Sequence, residues 1–340
     1  MFGLGWLRAL TDARGLLEHA HHGVPRLGEG YTTDDNARAL LYLSLLPEGA
    51  RDEGLVRTYL AFLLHMQKED GRFRNGITLD GRFEDEGEAE DPTGRAVLAL
   101  AAAQRLPPPY AGPAREALLR ALPALEGFTS LRGRAYALLG LLALPKEPFL
   151  EAAEALGEGL LRAFREAEPA WPYPGPLTYA NHRPVEALYA YGLAFRRREA
   201  VALARRALAF LKEHYFTPGE EGLFFDPVGN RFMERGGEKP LFDQQPIEAK
   251  CALLAHLRFG ERVLAEVAFL WFHGRNRLRA PLVDAFGPMD GLTPHGPNQN
   301  RGAEALLAYL LAWQALVQGV FPQVDEGVAL GRVFALGGRP

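Results

Sequence analysis

The sequence predicts an all-α fold, an (α/α)6 toroid in which six helical hairpins form an inner and an outer ring. Two observations carry this prediction. Six segments open with a polar turn and continue into a helix that is apolar on nearly every side, as a helix surrounded by protein must be. Amphipathic segments alternate with them, and most long connections precede the apolar helices. We expect a single domain over residues 1–340, with a short tail at 320–340.

The apolar helices share a pattern that is clearest from Tyr31 to Leu40, where Tyr-Thr-Thr-Asp-Asp-Asn-Ala-Arg-Ala-Leu opens the first inner helix. Five later segments repeat this pattern in degenerate form. An open helical solenoid is the alternative, but solenoid repeats have even lengths and polar capping helices. Here the spacing is irregular and the last helix, residues 303–317, is among the most apolar. A closed ring of six hairpins is therefore the better interpretation.

A charged residue precedes the shared alanine of every repeat, an arginine in the first three and a glutamate in the last three. In chain order these residues are Arg38, Arg95, Arg134, Glu186, Glu248 and Glu304. Across a six-membered ring, each arginine would face a glutamate. Buried charges persist only when they are paired. We therefore expect these six side chains at one level inside the ring, largely buried and paired, as structural residues first and substrate contacts second.

The outer helices are predicted at amphipathic segments with charges on one face and apolar residues on the other. These segments are residues 6–20, 51–67, 113–122, 148–167, 198–214 and 260–275. Short hairpins are expected near Arg72, near Phe224 and in the tail from Val320 to Leu336.

The lengths of the loops indicate where the functional site lies. Connections from an outer to an inner helix are mostly long, and long loops in compact domains tend to carry function. They all fall where the inner helices begin, so that end of the ring is predicted to be the functional mouth. We expect it to hold residues 31–36, 90–93, 181–183, 243–245 and 298–301.

Composition excludes several classes of protein. The net charge of −4 and pI of about 6.2 give no electrostatic footprint for nucleic acid. No apolar run reaches membrane-spanning length, and the N-terminus lacks the features of a signal peptide, so we expect a cytoplasmic protein. The single cysteine, Cys251, excludes a disulfide framework and a multi-cysteine zinc site. The histidines match no metal spacing, and no nucleotide-binding motif is present, so neither a metal nor a cofactor is expected.

Four motifs carry a resemblance to known proteins: Gly30–Leu40, Leu177–Asn181, Phe242–Ala249 and the segment from Asp290 to Glu304. They resemble a bacterial family that occurs alone or fused to group-1 glycosyltransferases, often near mannoside phosphorylases. The predicted architecture resembles the six-hairpin glycosidase superfamily. The resemblance spans residues 15–315 or so. It implies a carbohydrate-active enzyme with an oligosaccharide substrate, and it suggests association with a glycosyltransferase.

The chain departs from this family's pattern in one loop. The family is expected to have an acidic residue close to the position of Ala180. It is also expected to have acids in the turn after Trp171, where this chain has Tyr-Pro-Gly-Pro. These losses argue against a catalytic role for that loop.

Cleavage of a glycosidic bond uses two carboxyl groups, held ~6.5–9.5 Å apart in inverting enzymes. We predict Asp34, Asp35 and Asp243 as the catalytic carboxylates, because they lie at the starts of the first and fifth inner helices. Thr33 can cap the first of these helices and leave the aspartates free. One carboxyl must stay protonated near neutral pH, which requires burial or a like-charged neighbour such as Asp34 beside Asp35. The alternative role for each acid is helix capping.

Polar and aromatic side chains at the same helix starts are predicted to bind the sugar. They are Asn36, Arg38, Asp91, Trp171, Tyr179, Asn181, His182, Gln244, Gln245, Asn300 and Glu304. Two alternatives remain open. Asp91 precedes a proline, a pattern that is typical of an ordinary helix cap as well. The loop from Trp171 to Tyr179 can stack on a sugar or fold onto its own aromatic rings.

A glycoside hydrolase, or a phosphorolytic relative, is the leading hypothesis. Phosphorolysis would need a phosphate pocket, for which Arg38, Arg95 and Arg132 are available. A toroidal sugar isomerase or epimerase would need histidines at two or more inner-helix starts, where only His182 clearly qualifies. The third hypothesis is a non-catalytic glycan-binding partner of a glycosyltransferase, which the missing acids near Ala180 favour. The fold alone cannot separate these three functions.

Overall fold

The computed structural model describes residues 3–84, 90–144 and 146–320. Within them, twelve α-helices alternate between two rings. The outer ring contains α1 (Leu4–Ala9), α3 (Glu53–Met66), α5 (Pro108–Leu125), α7 (Phe149–Glu166), α9 (Arg198–Tyr215) and α11 (Arg262–Leu270). The inner ring contains α2 (Thr33–Leu45), α4 (Glu90–Ala102), α6 (Leu131–Leu141), α8 (His182–Ala194), α10 (Pro246–Arg258) and α12 (Ala303–Gln318).

The inner ring is closed. Each inner helix packs on the next one along the chain, and α12 packs back on α2. The predicted (α/α)6 toroid is therefore confirmed. Inner helices are buried almost all round; in α2 every residue except Asp34 is buried. Although these helices are apolar, no helix in the described part of the chain has both the length and the apolarity to cross a membrane.

Small residues let neighbouring inner helices approach closely. At Gly140 of α6, an added Cβ would lie 2.7 Å from the Cα of Leu98 in α4. At Gly94 of α4, it would collide with the carbonyl oxygen of Gly133 in α6. No side chain fits at either position, so glycine sets the spacing of this part of the ring.

Strands are confined to the loops and form five antiparallel two-stranded pairs in the described residues. The pairs are β1 (Ala20–His21) with β2 (Val24–Pro25), β3 (Tyr31–Thr32) with β4 (Gly76–Ile77), β5 (Phe216–Gly219) with β6 (Gly222–Phe225), β7 (Val283–Asp284) with β8 (Gly287–Pro288), and β9 (Gly291–Thr293) with β10 (Gly296–Asn298).

The hairpin predicted near Phe224 is confirmed. Near Arg72 the predicted hairpin is reduced to one bridge between Gln67 and Phe73. Beyond Val320, the predicted tail and its hairpin lie outside the described residues.

The first outer helix is shorter than predicted and ends at Ala9 rather than residue 20. The carboxylate of Asp12 accepts the backbone N–H groups of Arg14 and Gly15, which turns the chain away from helical geometry. Gly15 then passes so close to α2 that a Cβ would lie 2.8 Å from Oδ1 of Asn36. This turn sends the following residues across the mouth of the ring instead of along its outside.

Two other outer helices differ from their predicted limits. Helix α5 extends over Pro108–Leu125 although Pro113 and Pro123 lie inside it. Helix α11 stops at Leu270. Beyond it, the amide of Asn276 bonds to the backbone carbonyl groups of Trp271 and Ala280, which closes a turn that a helix continuing to residue 275 would not allow.

The long loops crowd one end of the ring, as predicted. Four of them, residues 10–32, 167–181, 216–245 and 271–302, lead into inner helices, whereas residues 126–130 form the one short connection of this type among the fully described loops. The inner helices all begin at this mouth, so their polar first turns are collected there. At the opposite end, the connections among the described residues are short.

Candidate active site

Polar contacts join the starts of neighbouring inner helices around the mouth. They are Asp34 of α2 with Arg95 of α4, Asp91 of α4 with Arg132 of α6, Arg132 with Thr178 before α8, the Ala180 N–H before α8 with Glu248 of α10, and Glu304 of α12 with Arg38 of α2. Gln245, just before α10, and Glu304 of α12 line the same pocket, so the starts of α10 and α12 also lie side by side. The predicted mouth segments therefore do meet at one end.

One side of the mouth opens into a pocket with a volume of about 240 Å³. Five carboxylate side chains line it: Glu18, Asp34, Asp35, Asp290 and Glu304. Among the described residues that line it, Arg38 is the only arginine or lysine. We call this the acidic pocket. Its chemistry is suited to proton transfer and to hydrogen bonds with hydroxyl groups.

Asp35 is buried and both of its carboxylate oxygens are occupied. Thr32 is the cap of α2, because its Oγ1 accepts the backbone N–H of Asp35 at 3.2 Å and donates to Oδ2 of Asp35 at 3.0 Å. The predicted cap, Thr33, instead donates its hydroxyl to the carbonyl oxygen of Arg74. Burial raises the pKa of Asp35, and the guanidinium of Arg38 opposes that shift. The cap and the ion pair hold Asp35 in place.

Asp34 is the one residue of α2 that is not buried, and it has an unused acceptor. Its Oδ2 pairs with Nη1 of Arg95. Its Oδ1 has no hydrogen-bond partner among the described residues. Asp34 is therefore anchored on one oxygen only.

Arg38 bridges two acids of the pocket. Its Nη1 donates to Oδ1 of Asp35 at 2.5 Å and its Nη2 donates to Oε2 of Glu304 at 2.9 Å. Arg38 is almost fully buried, whereas 39% of the Glu304 side chain is exposed. The buried guanidinium thus fixes a carboxylate that still faces the pocket.

The predicted cross-ring pairing of charges is wrong. Arg38 pairs with Glu304 on the adjacent helix rather than with Glu186 opposite, because α12 and α2 lie side by side where the ring closes. Glu186 is paired, but with Arg183 on its own helix and with Arg258 at 3.0 Å.

Two other members of the predicted set also differ from expectation. Arg134 faces the outer ring, where its Nε donates to the carbonyl oxygen of Phe128 at 2.7 Å and its guanidinium lies over Gly159, which leaves room for it. Glu248 has no cation partner among the described residues; its Oε1 accepts the N–H of Ala180 and its Oε2 is buried without a partner. Burial raises the pKa of Glu248 to about 8.

Glu18 reaches the acidic pocket from the loop between α1 and α2. Its backbone is fixed on both sides, since its N–H donates to the carbonyl oxygen of Gly30 and its carbonyl oxygen accepts the N–H of Ala303. Burial, followed by the negative charge of Asp35, raises the pKa of Glu18 to about 7. His19, whose Nε2 lies 3.5 Å from Oε1 of Glu18, opposes this shift. Glu18 is thus poised to give up a proton near neutral pH.

Asp290 lies in the same pocket. Its Oδ1 accepts the backbone N–H of Gly302 at 2.6 Å, so it holds the loop that enters α12. Burial raises the pKa of Asp290. The acidic pocket thus combines acids from three separate segments of the chain.

Several residues that line the pocket were not predicted from the sequence, among them the ionisable residues Glu18, His19 and Asp290. The first two lie in a segment predicted to be helical, and the tertiary contacts of Gly15 and Ala303 carry them to the mouth. Asp290 begins one of the motifs that carry the family resemblance, and that motif was the one available signal.

Asp243 lies on an exposed turn beside the mouth. Its backbone is left-handed, with φ of 60°, and it is not among the residues that line the acidic pocket. The next residue, Gln244, is buried, with its amide bonded to Asp226, Leu241 and Trp271. Gln245 lines the pocket. Of these three predicted residues, one faces the candidate site.

Three predicted asparagines have amide groups that bond to the protein itself. Asn36 bonds to the backbone of Leu16 and Thr32, and so ties the preceding loop to α2. Asn181 bonds to the N–H before its own helix and to the hydroxyl of Tyr215. Asn300 accepts the N–H of His22. These contacts hold loops at the mouth, and sugar binding by the three residues stays a prediction.

The opposite side of the mouth is packed, and we call it the packed side. Asp91 accepts the hydroxyl of Ser130 at 2.5 Å, Nε of Arg132 at 2.7 Å and the hydroxyl of Tyr179 at 3.1 Å. The guanidinium of Arg132 lies 3.9 Å from the ring centre of Tyr179. Burial of Asp91 opposes these contacts, but the contacts prevail and its pKa is lowered.

Trp171 and His182 are also enclosed. The indole Nε1 of Trp171 donates to the carbonyl oxygen of Gly175 at 2.8 Å, and its ring packs on Phe210 of the outer helix α9. Trp171 is therefore buried against an outer helix. His182 is fully buried and packs edge-on against Tyr215. Burial holds the pKa of His182 well below its usual range. Among the described residues, no group of three or more His, Cys, Asp or Glu side chains could hold a metal ion.

No protein-family model and no curated protein matches the chain. Solved structures do match. D-mannose isomerase aligns with a TM-score of 0.69 and 10% identity, covering 93% of this chain and 95% of that chain. Cellobiose 2-epimerase from Bacillus thermoamylovorans B4167 aligns with a TM-score of 0.68 and 9% identity, covering 91% of this chain and 95% of that chain.

A GH76 α-mannanase from Bacteroides thetaiotaomicron aligns with a TM-score of 0.62 and 10% identity, covering 98% of this chain and 95% of that chain. The chain thus has the fold shared by six-hairpin glycosidases and sugar epimerases. At such low identity this likeness concerns the fold alone. The narrower resemblance to the bacterial family associated with glycosyltransferases stays a prediction.

Proposed function

We propose that the protein is a carbohydrate-active enzyme that hydrolyses a glycosidic bond of a short, neutral oligosaccharide. The observation that carries this proposal is Glu18, a carboxyl with a pKa of about 7 in a pocket lined by four further carboxylates. Hydrolysis needs one protonated and one ionised carboxyl near neutral pH. The matching structures include an isomerase, an epimerase and a mannanase that act on carbohydrates, which supports a carbohydrate substrate.

In this proposal Glu18 protonates the leaving oxygen of the glycosidic bond. Glu304 is the partner carboxylate, because Arg38 fixes one of its oxygens while the side chain remains partly exposed to the pocket. Asp34 is the second candidate for that role, since its Oδ1 has no partner among the described residues. Asp35 then has a different role from the predicted one, because its negative charge, together with that of Asp34, helps to keep Glu18 protonated.

The substrate is neutral in this proposal because of the charge of the pocket. Five carboxylates against one guanidinium repel an anionic sugar. Gln245 is available to bind hydroxyl groups, since no hydrogen bond of its side chain to another described residue occurs. The predicted roles of Asn36, Asn181 and Gln244 in sugar binding are not part of the proposal, because the protein already uses their amides.

Hydrolysis is favoured over phosphorolysis. The three arginines suggested for a phosphate pocket each bond to a carboxylate: Arg38 to Asp35 and Glu304, Arg95 to Asp34, and Arg132 to Asp91. In the acidic pocket, a phosphate ion would have to displace the contacts of Arg38 while lying beside five carboxylates.

The test is a screen of neutral oligosaccharides, with and without inorganic phosphate, followed by variants on the best substrate. Glu18→Gln and Glu304→Gln are each expected to lower kcat by about 10²–10⁴-fold, the usual effect of losing general acid–base assistance. Glu69→Gln, on an exposed residue that does not line the acidic pocket, is the matched control and is expected to match wild type.

The same screen tests the role predicted for Asp243, which its exposed position does not support. A loss of activity in Asp243→Asn as large as in Glu18→Gln would restore that prediction. Wild-type rates in both Glu18→Gln and Glu304→Gln would refute the proposed pair.

A sugar isomerase or epimerase is the second candidate. His19 supports it, because this histidine lines the acidic pocket beside Glu18. Such an enzyme moves a proton on carbon, so reducing sugars incubated in D₂O would acquire deuterium without cleavage. Tight glycan binding with neither cleavage nor exchange would favour the glycan-binding partner of a glycosyltransferase; that association stays a prediction.

A further inference from the structure

A second cavity lies inside the inner ring, with a volume of about 20 Å³. Four cationic side chains line it: Arg38, Arg95, Arg183 and Lys250. No carboxylate is among its described lining residues, and apart from Tyr136 the rest of the lining is apolar. We call it the lumen cavity. It differs from the acidic pocket in the sign of its charge, although Arg38 lines both.

Lys250 has no counter-charge in this cavity. Only 3% of it is exposed, and its ammonium group makes no hydrogen bond or ion pair with any described residue. An ammonium group carries three donors and no acceptor, so a buried one requires acceptors nearby. Burial, and then the positive charges of Arg38, Arg183 and Arg95, lower the pKa of Lys250 to about 8, while the nearby thiol of Cys251 opposes this shift. An anion beside the ammonium group would raise this pKa and favour the charged form.

The three arginines also have donors to spare. Their Nη atoms reach carboxylates: Arg38 to Asp35 and Glu304, Arg95 to Asp34, Arg183 to Glu186. Their Nε atoms, however, are all buried without a partner among the described residues. The hydroxyl of Tyr136 supplies one acceptor, but Nη2 of Arg95 uses it at 3.3 Å. Buried donors are nearly always paired, so the orphaned donors around this cavity call for an acceptor that the described residues do not supply.

We propose that the lumen cavity binds a monatomic anion, a halide such as chloride or bromide, with the ammonium of Lys250 as its main partner. A cavity of ~10–15 Å³ holds one water-sized species, so the observed volume has room for one small ion. Sulfate and phosphate are several times larger, so the small volume favours a monatomic anion over them. A water molecule would accept hydrogen bonds there but would leave the charge of Lys250 uncompensated. This inference does not depend on the proposed hydrolase activity.

The test measures thermal unfolding of the full-length protein during titration with sodium bromide, with sodium gluconate holding the ionic strength constant. Bromide at roughly ten times its Kd is expected to raise Tm by about 2 °C in a saturable way. Sodium sulfate at the same ionic strength is expected to give no saturable rise. In crystals soaked in sodium bromide, an anomalous peak is expected beside Nζ of Lys250.

Two variants separate the site from general salt effects. Lys250→Met is expected to lose the bromide-dependent rise, because the methionine has no charge to neutralise. Lys212→Met makes the same change on an exposed residue of α9 and is expected to retain it. A bromide response that persists in Lys250→Met, or an equal response to sulfate, would overturn the proposal. If Lys250→Met does not fold, soaked wild-type crystals decide, since a lumen without an anomalous peak would overturn it equally.

Discussion

Acidic residues have different roles on the two sides of the mouth. On the packed side, Asp91 meets Arg132, Ser130 and Tyr179. In the acidic pocket, five carboxylates share one lining arginine and about 240 Å³ of space. Both groups of acids stand at or beside the starts of inner helices. Position in the repeat is therefore not what distinguishes a structural acid from a chemical one.

Partners and space make the difference. Where a carboxylate has a cation and hydroxyl donors, its ionised form is favoured and its pKa falls, as for Asp91. Where burial and like charges dominate, the protonated form is favoured, as for Glu18 and Glu248. Glu18 faces a pocket and can exchange its proton with a ligand. Glu248 is enclosed, so its raised pKa affects stability instead.

The largest expected contrast is in activity. On the hydrolysed substrate, Glu18→Gln should lower kcat/KM by about 10²–10⁴-fold, because the proton donor is lost. Asp91→Asn, on the packed side, should change kcat/KM by less than about tenfold while lowering the free energy of unfolding by about 1–3 kcal/mol, because it weakens buried charge-assisted hydrogen bonds.

Steady-state kinetics and urea unfolding of both variants check this contrast. The distinction between the two sides fails if Asp91→Asn loses as much activity as Glu18→Gln while remaining as stable as wild type.

The next contrast concerns Glu248 and pH. Its pKa is raised from 4.5 to about 8 in the folded protein. The stabilisation of its protonated form is complete below pH 4.5 and is lost as pH rises through 8. Glu248→Gln cannot ionise, so above that range it should be more stable than wild type by something on the order of 4 kcal/mol, at about 1.4 kcal/mol per pKa unit.

Thermal or urea unfolding at acidic and alkaline pH measures this difference. Glu166→Gln, at an exposed position on α7, serves as the control, and its stability is expected to change with pH in parallel with that of wild type. Parallel curves for Glu248→Gln and wild type would mean that Glu248 is already ionised in the folded state.

The repeat, the ring and its mouth could be predicted because they depend on local patterns. Apolar inner helices, amphipathic outer helices and one-sided loop lengths are all properties of neighbouring residues. The same is true of the acids at the start of α2. Only the assignment of the cap was wrong there, since Thr32 rather than Thr33 caps the helix.

The access of side chains to the pocket and their pairing depend on contacts between segments that are far apart in the sequence. Glu18 enters the pocket because its carbonyl oxygen bonds to Ala303, far away in the sequence. Arg134 turns outward because Gly159 of α7 makes room for it. Gln244 is occupied by Asp226 and Trp271. Helical spacing gives the level of a side chain in the ring but not its partner, so pairing and access could not be read from the repeat.

A smaller effect is expected at Tyr179, which was predicted to stack on sugar. Tyr179→Phe removes its hydrogen bond to Asp91, 3.1 Å long, and leaves the ring against Arg132. Loss of one such bond to a charged group should lower the free energy of unfolding by about 1–2 kcal/mol with little change in KM. Urea unfolding and KM for the best substrate check it. A clear rise in KM at unchanged stability would instead assign Tyr179 to substrate binding.

The smallest effect tests how the acidic pocket tunes its proton donor. Glu18 has a pKa of about 7 and must be protonated to act, so kcat/KM should fall as pH rises above about 7. Asp35→Asn removes the largest charge that raises this pKa, so the alkaline limb should move to lower pH. The limb should stay above 4.5, because burial remains the leading cause of the shift.

Asp290→Asn is the matched control for this last shift. It makes the same isosteric change in the same pocket, but Asp290 is not among the leading charges that raise the pKa of Glu18. Its alkaline limb should therefore coincide with that of wild type. An equal displacement in Asp35→Asn and Asp290→Asn would mean that the total charge of the pocket sets the pKa of Glu18. If neither variant displaced the alkaline limb, a group other than Glu18 would cause the fall in kcat/KM.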